Sequence, residues 1–237
     1  MSLIPTIQHL RDFDTALLAN TISTIDKTPA HEFYMGGSIQ SVTPELGPSV
    51  GVAVTCEMDS STPGSSYDLQ PYWEQLERIQ SMEEPVIWVV KAVGERPDHE
   101  CVMGDGMAKL LNSIGVVAAV TDGGVRDVGG LKTVGFAAYC RGTTIHHGAM
   151  RIFSVDTPVE IAGLTISPGD VIHANSEGVI RVPPSCMEAL PDAAARMRAF
   201  EHDVHGTWRR SDLSVDAKRR LVLEVGRKFG FGETLQL

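Results

Sequence analysis

Gly104-Asp105-Gly106-Met107-Ala108, then an apolar run from Val116 to Thr121, then Asp122-Gly123-Gly124-Val125-Arg126-Asp127: this stretch decides how the chain is read. A glycine turn opens a short helix with Met107, Leu110, Leu111 and Ile114 on one face and Gly115 at its C-terminal end. A buried strand follows, and a second glycine turn delivers adjacent Arg126 and Asp127. The first turn offers backbone N–H groups to an anion. Arg126 offers a planar fork to a carboxylate, and Asp127 a hard oxygen to a divalent metal.

Each feature is weak alone. A Gly-x-Gly turn is often only a tight strand-to-helix connection. Lys109 stands where a dinucleotide fingerprint needs its third glycine. Adjacent Arg and Asp on a loop commonly form a solvated pair. Together they carry more, because both turns follow apolar strands, and ligands in open α/β sheets sit at the carboxyl ends of strands. Asp105 and Asp127 would then bring two carboxylates to one edge.

Outward from this stretch the strand–helix–strand alternation continues. Residues 8–25 read as one helix, with Leu10, Leu17, Leu18 and Ile22 as its apolar positions. Residues 38–57 have a strand-like rhythm, and residues 60–66 read as a turn or mobile loop. Leu69, Tyr72, Trp73, Leu76, Ile79 and Met82 recur at helical spacing up to Pro85. Val86-Ile87-Trp88-Val89-Val90 reads as a buried strand of a parallel or mixed sheet, and residues 135–139 as another. From 151 to 182 short strands are separated by Pro168-Gly169-Asp170 and Asn175-Ser176-Glu177-Gly178, a hairpin grammar. Residues 191–205 form one tail helix. Ser214 caps a second, with Leu221, Val222, Val225 and Phe229 inside and Gly230 beyond its end. The expectation is a single α/β domain over residues 1–237, with 186–237 a helical extension packing on the body or on a neighbouring subunit.

The chain has 237 residues, 43% hydrophobic and 21% charged, with a net charge of −10. That balance describes a soluble globular protein with a sizeable core and argues against a nucleic-acid binder. No run is long and apolar enough for a membrane span. The first residues lack the pattern of a signal peptide, so a cytoplasmic location is expected. The four cysteines (Cys56, Cys101, Cys140, Cys186) have no zinc-ligand spacing and read as scattered buried or free thiols.

The Gly104–Ala108 motif, Val120-Thr121-Asp122-Gly123-Gly124-Val125-Arg126-Asp127, Arg141-Gly142-Thr143, residues 168–175 and Gly178-Val179 occur in an order and spacing that resembles one family. It contains 4-hydroxy-4-methyl-2-oxoglutarate aldolases, related oxaloacetate decarboxylases and regulators of ribonuclease E activity. The likeness runs from about Val54 to Pro183. It implies an α/β fold of the swivelling β/β/α sandwich type with C-terminal helices, assembled as a homotrimer or a dimer of trimers. In the aldolase branch, a pyruvate-like substrate rests on the backbone amides matching Gly104, Asp105, Gly106 and Met107. Its carboxylate is held by the arginine matching Arg126. The residue matching Asp127 ligates Mg²⁺ or Mn²⁺, the one matching Asp105 holds water on that metal, and a tail glutamate of a neighbouring subunit, here matching Glu201, helps. The regulator branch usually lacks the metal-binding aspartate, which this chain keeps. One departure is Ala174-Asn175, where the family commonly has Ala-Asp; its effect is expected at the turn or the subunit contact.

The resemblance therefore implies a lyase acting on a small 2-oxo acid through a pyruvate enolate. The rivals are a non-catalytic regulator that binds a protein partner such as a ribonuclease, and a sugar-acid or hydroxy-acid enzyme using the same enolate chemistry. A Schiff-base mechanism would need a desolvated lysine, and Lys109 is expected to face solvent. His146, His147 and His173 read as loop or core residues rather than ligands, and Trp73, Trp88 and Trp208 as core or interface residues.

Overall fold

The computed structural model describes residues 3–231. Its centre is a parallel block of β2 (Ser49–Asp59), β3 (Val86–Ala92), β5 (Val116–Thr121) and β7 (Ala137–Cys140). Antiparallel strands extend it at both sides: β1 (Gln40–Ser41) on β7, β12 (Val171–Asn175) on β2 with β13 (Gly178–Val182) beyond it, and β9 (Arg151–Phe153) on the far end of β2. Two smaller sheets complete the set. One is the hairpin β10 (Val159–Ile161) and β11 (Leu164–Ile166). The other is the parallel trio β4 (Cys101–Met103), β6 (Gly124–Val125) and β8 (Gly142–Thr143).

The central strands are buried on both faces, which is why they read as continuous apolar runs rather than alternating ones. Their side chains still divide with a period of two. Val52, Val54, Cys56, Met58, Val86, Trp88 and Val90 join a core with the helices, while Ala53, Ile87, Val89, Ala118, Val120 and Tyr139 join a second core with the β10–β11 hairpin. The result is the expected layering: hairpin, sheet, helices. Trp88 is fully buried because its polar atom is satisfied. Its indole N–H donates to Gln75 Oε1 at 3.0 Å, and Gln75 Nε2 donates to the Thr55 carbonyl at 2.8 Å.

Of the helices, α3 (Gln70–Gln80) and α4 (Asp105–Ser113) follow the expected periodicity, and α5 (Val128–Val134) was not foreseen. The single helix expected over residues 8–25 is two, α1 (Ile4–Leu10) and α2 (Thr15–Ile25). Asp14 breaks the run by capping α2, accepting from the Leu17 N–H at 2.7 Å. The strand expected over residues 38–57 is interrupted by a short 3₁₀ turn at Pro44–Leu46. The tail holds α6 (Leu190–Trp208), longer than expected, and α7 (Val215–Phe229), with the foreseen Ser214 cap and Gly230 in the left-handed region. Leu190, Ala194, Met197 and Phe200 pack α6 into the helix-side core. No helix among the described residues is long and apolar enough to cross a membrane. All four cysteines are free and buried.

His173 lies on β12 at full burial, with Nδ1 3.0 Å from Thr15 Oγ1 and Nε2 3.2 Å from the Leu10 carbonyl. Burial lowers its pKa from 6.5 to about 4, against a smaller opposing pull from backbone hydrogen bonds. Between those values the unfolded chain holds the extra proton and the folded one does not. Stability is therefore full above pH 6.5 and declines as pH falls toward 4, by up to roughly 1.4 kcal/mol per pH unit. Urea midpoints recorded across that range should show the slope in the wild type and a much flatter one in His173→Gln; equal slopes would remove His173 as the titrating group.

Candidate functional site

The β4–β6–β8 trio places the site. In parallel register Met103 faces Val125 and Val125 faces Thr143, so the chains leave the three strands side by side as Gly104, Arg126 and Thr144. Arg126 N–H donates to the Met103 carbonyl and Thr144 N–H to the Val125 carbonyl, each at 3.0 Å. The two turns singled out in the sequence therefore meet. A Cβ on Gly104 would lie 2.6 Å from Asp127 Oδ2 and 3.1 Å from both Cγ and Nε of Arg126. Gly104 has an extended backbone, so glycine is required there for close approach rather than for conformation.

Asp127 adopts a left-handed backbone, φ 55° and ψ 40°, a region that Asp and Asn enter more readily than most residues. Its carbonyl accepts the first bonds of α5, from Gly130 at 2.7 Å and Leu131 at 3.0 Å. Its carboxylate does not cap that helix and turns toward Gly104 instead. Arg126 Nε is 3.5 Å from Asp127 Oδ2, in range for charge attraction but not a well-formed hydrogen bond. This Nε is buried with no hydrogen-bond partner, so the arginine retains donor capacity.

Asp105 opens α4, whose first N–H groups have no partner within the helix. Its carboxylate ion-pairs with Lys109 at 2.7 Å, and that hydrogen bond is the main reason its pKa is held below the usual value. Lys109 thus faces solvent as expected but is engaged. α4 and α5 approach closely here, since a Cβ on Gly130 would meet Asp105 Cβ at 2.5 Å. Gly104, Asp105, Arg126 and Asp127 converge, with Gly106 and Met107 on the same turn. Glu201 does not join them within one chain. It lies on α6, which packs on α2, and accepts from Asn20 Nδ2 at 3.2 Å.

Among the described residues no group of three or more His, Cys, Asp or Glu side chains is arranged to hold a metal ion. Asp127, with its side chain 49% exposed, is a single hard oxygen donor. Such a site suits a cation that keeps most of its waters, Mg²⁺ or Mn²⁺, and not one that needs a full protein shell.

Sequence reading missed a buried polar network beneath the site. Residues 60–66 were expected to form a loose turn, yet Ser60 and Ser61 are buried. Glu100, 1% exposed, accepts from Ser60 N–H at 2.9 Å, Ser61 Oγ at 3.0 Å, Gly94 N–H at 2.5 Å and Ser60 Oγ. The only local signal was an acid directly before the apolar Cys101-Val102-Met103. Asn175, the departure from the family pattern, accepts from Glu177 N–H at 2.9 Å and so shapes the β12–β13 turn, as expected.

The geometry makes Gly104 an exacting position. Gly104→Ala is expected to leave the far-ultraviolet circular dichroism unchanged while displacing Asp127 and Arg126, lowering activity at least tenfold. A crystal structure of the variant with both side chains unmoved would contradict this account.

Comparison with known proteins bears on the family and the fold. The RraA-like family model, described as Aldolase/RraA, matches residues 20–181. A protein of Halalkalibacterium halodurans, named "Putative 4-hydroxy-4-methyl-2-oxoglutarate aldolase", is 30% identical over 99 residues, which are 41% of this chain and 47% of that protein. The chain thus spans about half the length of that curated relative. Among solved structures, Streptomyces coelicolor RraAS2, described as an unusual member of the RNase ES inhibitor RraA protein family, has a TM-score of 0.66 at 22% identity, covering 84% of this chain and 94% of its own. A Pseudomonas syringae pv. tomato protein has a TM-score of 0.69 at 21% identity, covering 92% and 93%. These structures share the fold, and the family match over most of the sheet and both glycine turns establishes that the chain belongs to the RraA-like, Aldolase/RraA family.

Proposed function

We propose that this chain is a divalent-metal-dependent class II pyruvate aldolase. Its substrates are 4-hydroxy-2-oxo acids resembling 4-hydroxy-4-methyl-2-oxoglutarate, and it also decarboxylates oxaloacetate through the same pyruvate enolate. The observation that carries this reading is the convergence of Arg126 and Asp127 on the Gly104 turn. A 2-oxo acid presents a carboxylate beside a carbonyl. The free N–H groups at the start of α4 and the Arg126 guanidinium are complementary to the carboxylate, and they fix the scissile bond relative to Asp127. Asp127 would hold Mg²⁺ or Mn²⁺, which would supply positive charge where an enolate oxygen develops negative charge. Asp105, kept ionised by Lys109, accepts a hydrogen bond from water and orients it toward the reacting carbons.

The lysines near the site support an enolate route without a Schiff base. Lys91 pairs with Asp122 at 2.5 Å, Lys109 with Asp105 at 2.7 Å and Lys132 with Glu45 at 2.7 Å. A Schiff-base lysine must be free to attack a substrate carbonyl, and each of these ammonium groups is engaged by a carboxylate. The regulator reading loses support because Asp127 is retained in a strained turn with its carboxylate aimed into the cluster.

The same reading assigns Glu201 to a site completed between copies in a homotrimer or a dimer of trimers. Within its own chain Glu201 accepts from Asn20 on α2, so a role at the metal calls for a neighbouring copy.

Pyruvate release from a panel of 4-hydroxy-2-oxo acids and oxaloacetate should vanish in excess EDTA and return with Mg²⁺ or Mn²⁺. Borohydride should trap no substrate adduct. Full turnover in chelator, or a trapped adduct, would overturn the mechanism. Glu201→Gln should assemble normally yet lose about 10–100-fold in activity at subsaturating metal, as expected for a carboxylate that orients water on the ion. Mixed oligomers of Glu201→Gln and Asp127→Asn chains should regain activity, because a shared site can draw one intact residue from each. Assembled but permanently inactive mixtures would place Glu201 outside it.

A further inference from the structure

Three histidines that the reaction leaves aside gather in one place. An open cleft of ≈ 390 Å³ lies between the segment beginning at Ser60 and two loops that carry Arg96, His99, His146 and His147. Three of the chain's eight histidines and an arginine thus line a single cleft on a protein of net charge −10.

The walls are pinned to one another. Gly148 N–H donates to the Ser60 carbonyl at 2.6 Å, Arg96 N–H to Ser61 Oγ at 3.1 Å and Glu95 N–H to Thr62 Oγ1 at 3.1 Å. Beneath them, Glu100 gathers Ser60, Ser61 and Gly94. The acids on these segments stay out of the cleft lining. Asp59 is buried against Arg151, Asp98 pairs with Arg141 at 2.9 Å, Glu100 is saturated by donors, and Glu95 is not among the lining residues.

Donor logic fixes the imidazoles. Arginine only donates, so the 2.7 Å contact from Arg96 makes His99 Nε2 an acceptor and leaves its Nδ1–H free. A carbonyl only accepts, so His147 Nδ1–H is spent on the Gly148 carbonyl at 2.7 Å. The rings of His146 and His147 lie side by side in the loop wall, centroids 5.4 Å apart and tilted by 31°. Arg96, with four further N–H groups, and His99 therefore have donors to spare beside the cleft, His146 lines it with them, and no carboxylate is among the lining residues. Among the described residues these side chains do not form a metal-holding group.

We infer that this cleft is a binding site for a small oxyanion, a carboxylate or a phosphate group, recognised by Arg96, His99 and His146. It is distinct from the Arg126 fork. None of Gly104, Asp105, Arg126 and Asp127 lines it. The inference stands whether or not the chain is an aldolase.

Titration of histidine-labelled protein with inorganic phosphate, and separately with malonate, at ionic strength fixed by chloride, tests it through the imidazole resonances. At least one anion should give saturable shifts at His99, His146 and His147 in the millimolar range or tighter. Saturation by phosphate alone identifies a phosphoryl ligand, and by malonate alone a carboxylate. Arg96→Gln and His146→Gln, both at exposed positions, should each weaken binding about tenfold or more, while Arg126→Lys should leave the shifts intact. Shifts that grow without saturation, affinity unchanged in Arg96→Gln, loss of the shifts in Arg126→Lys, or saturation by Zn²⁺ with neither anion would each overturn the assignment.

Discussion

The Glu100 carboxylate is the constraint from which the site is hung. A charged group at 1% exposure is costly unless saturated, and this one takes hydrogen bonds from two serines and two backbone N–H groups. The network continues beyond the carboxylate. Ser60 Oγ, while donating to Glu100, accepts from Cys101 N–H at 2.9 Å, and the Glu100 carbonyl accepts from Gly124 N–H at 2.9 Å. One residue thereby joins the end of β2, the start of β4 and the start of β6. Gly104 follows β4 and Arg126 follows β6, so the register in which the two glycine turns meet is set at their far ends.

Asp122 does similar work on the neighbouring turn. Its carboxylate takes the Ala92 N–H at 2.8 Å and the Lys91 ammonium at 2.5 Å, tying the Asp-Gly-Gly turn to the end of β3. Asp59, at the end of β2, is buried, which alone would raise its pKa. Arg151 and the N–H groups of Ser61 and Thr62 outweigh that and bring it down to about 2. Three buried or half-buried carboxylates thus close the carboxyl end of the sheet with ionic and hydrogen-bonded contacts. The opposite arrangement holds in the sheet centre, where Val89, Val90, Ala118 and Val120 pack with no polar partner. A dry centre and a polar rim give a rigid sheet whose loops carry the chemistry.

The residues at the meeting of the two glycine turns add strain to that rigid frame. Asp127 holds a left-handed backbone without being glycine, and Arg126 Nε is buried without a hydrogen bond. Both conditions are unfavourable in isolation, and a carboxylate accepting from Arg126 would remove the second. In the free chain the two side chains neutralise each other only loosely, at 3.5 Å.

Local pattern was enough for much of this. The apolar runs of β3 and β5, the amphipathic face of α4, the Ser214 cap and the hairpin grammar of residues 151–182 are encoded within a few residues, where periodicity, capping and turn chemistry act. The order of the glycine motifs identified the family and named Gly104, Asp105, Arg126 and Asp127. The break between α1 and α2 was also local, at Asp14, but was overridden by the longer periodicity. What the sequence could not display was contact between distant residues. Glu100 meets Ser60 across 40 positions, the His99 and His146 loops share a cleft, and a missing Cβ at Gly104 admits Asp127. Those depend on the register of β4, β6 and β8 and on the burial of charged groups, and a charge reveals its cost only when the folded chain removes water from it.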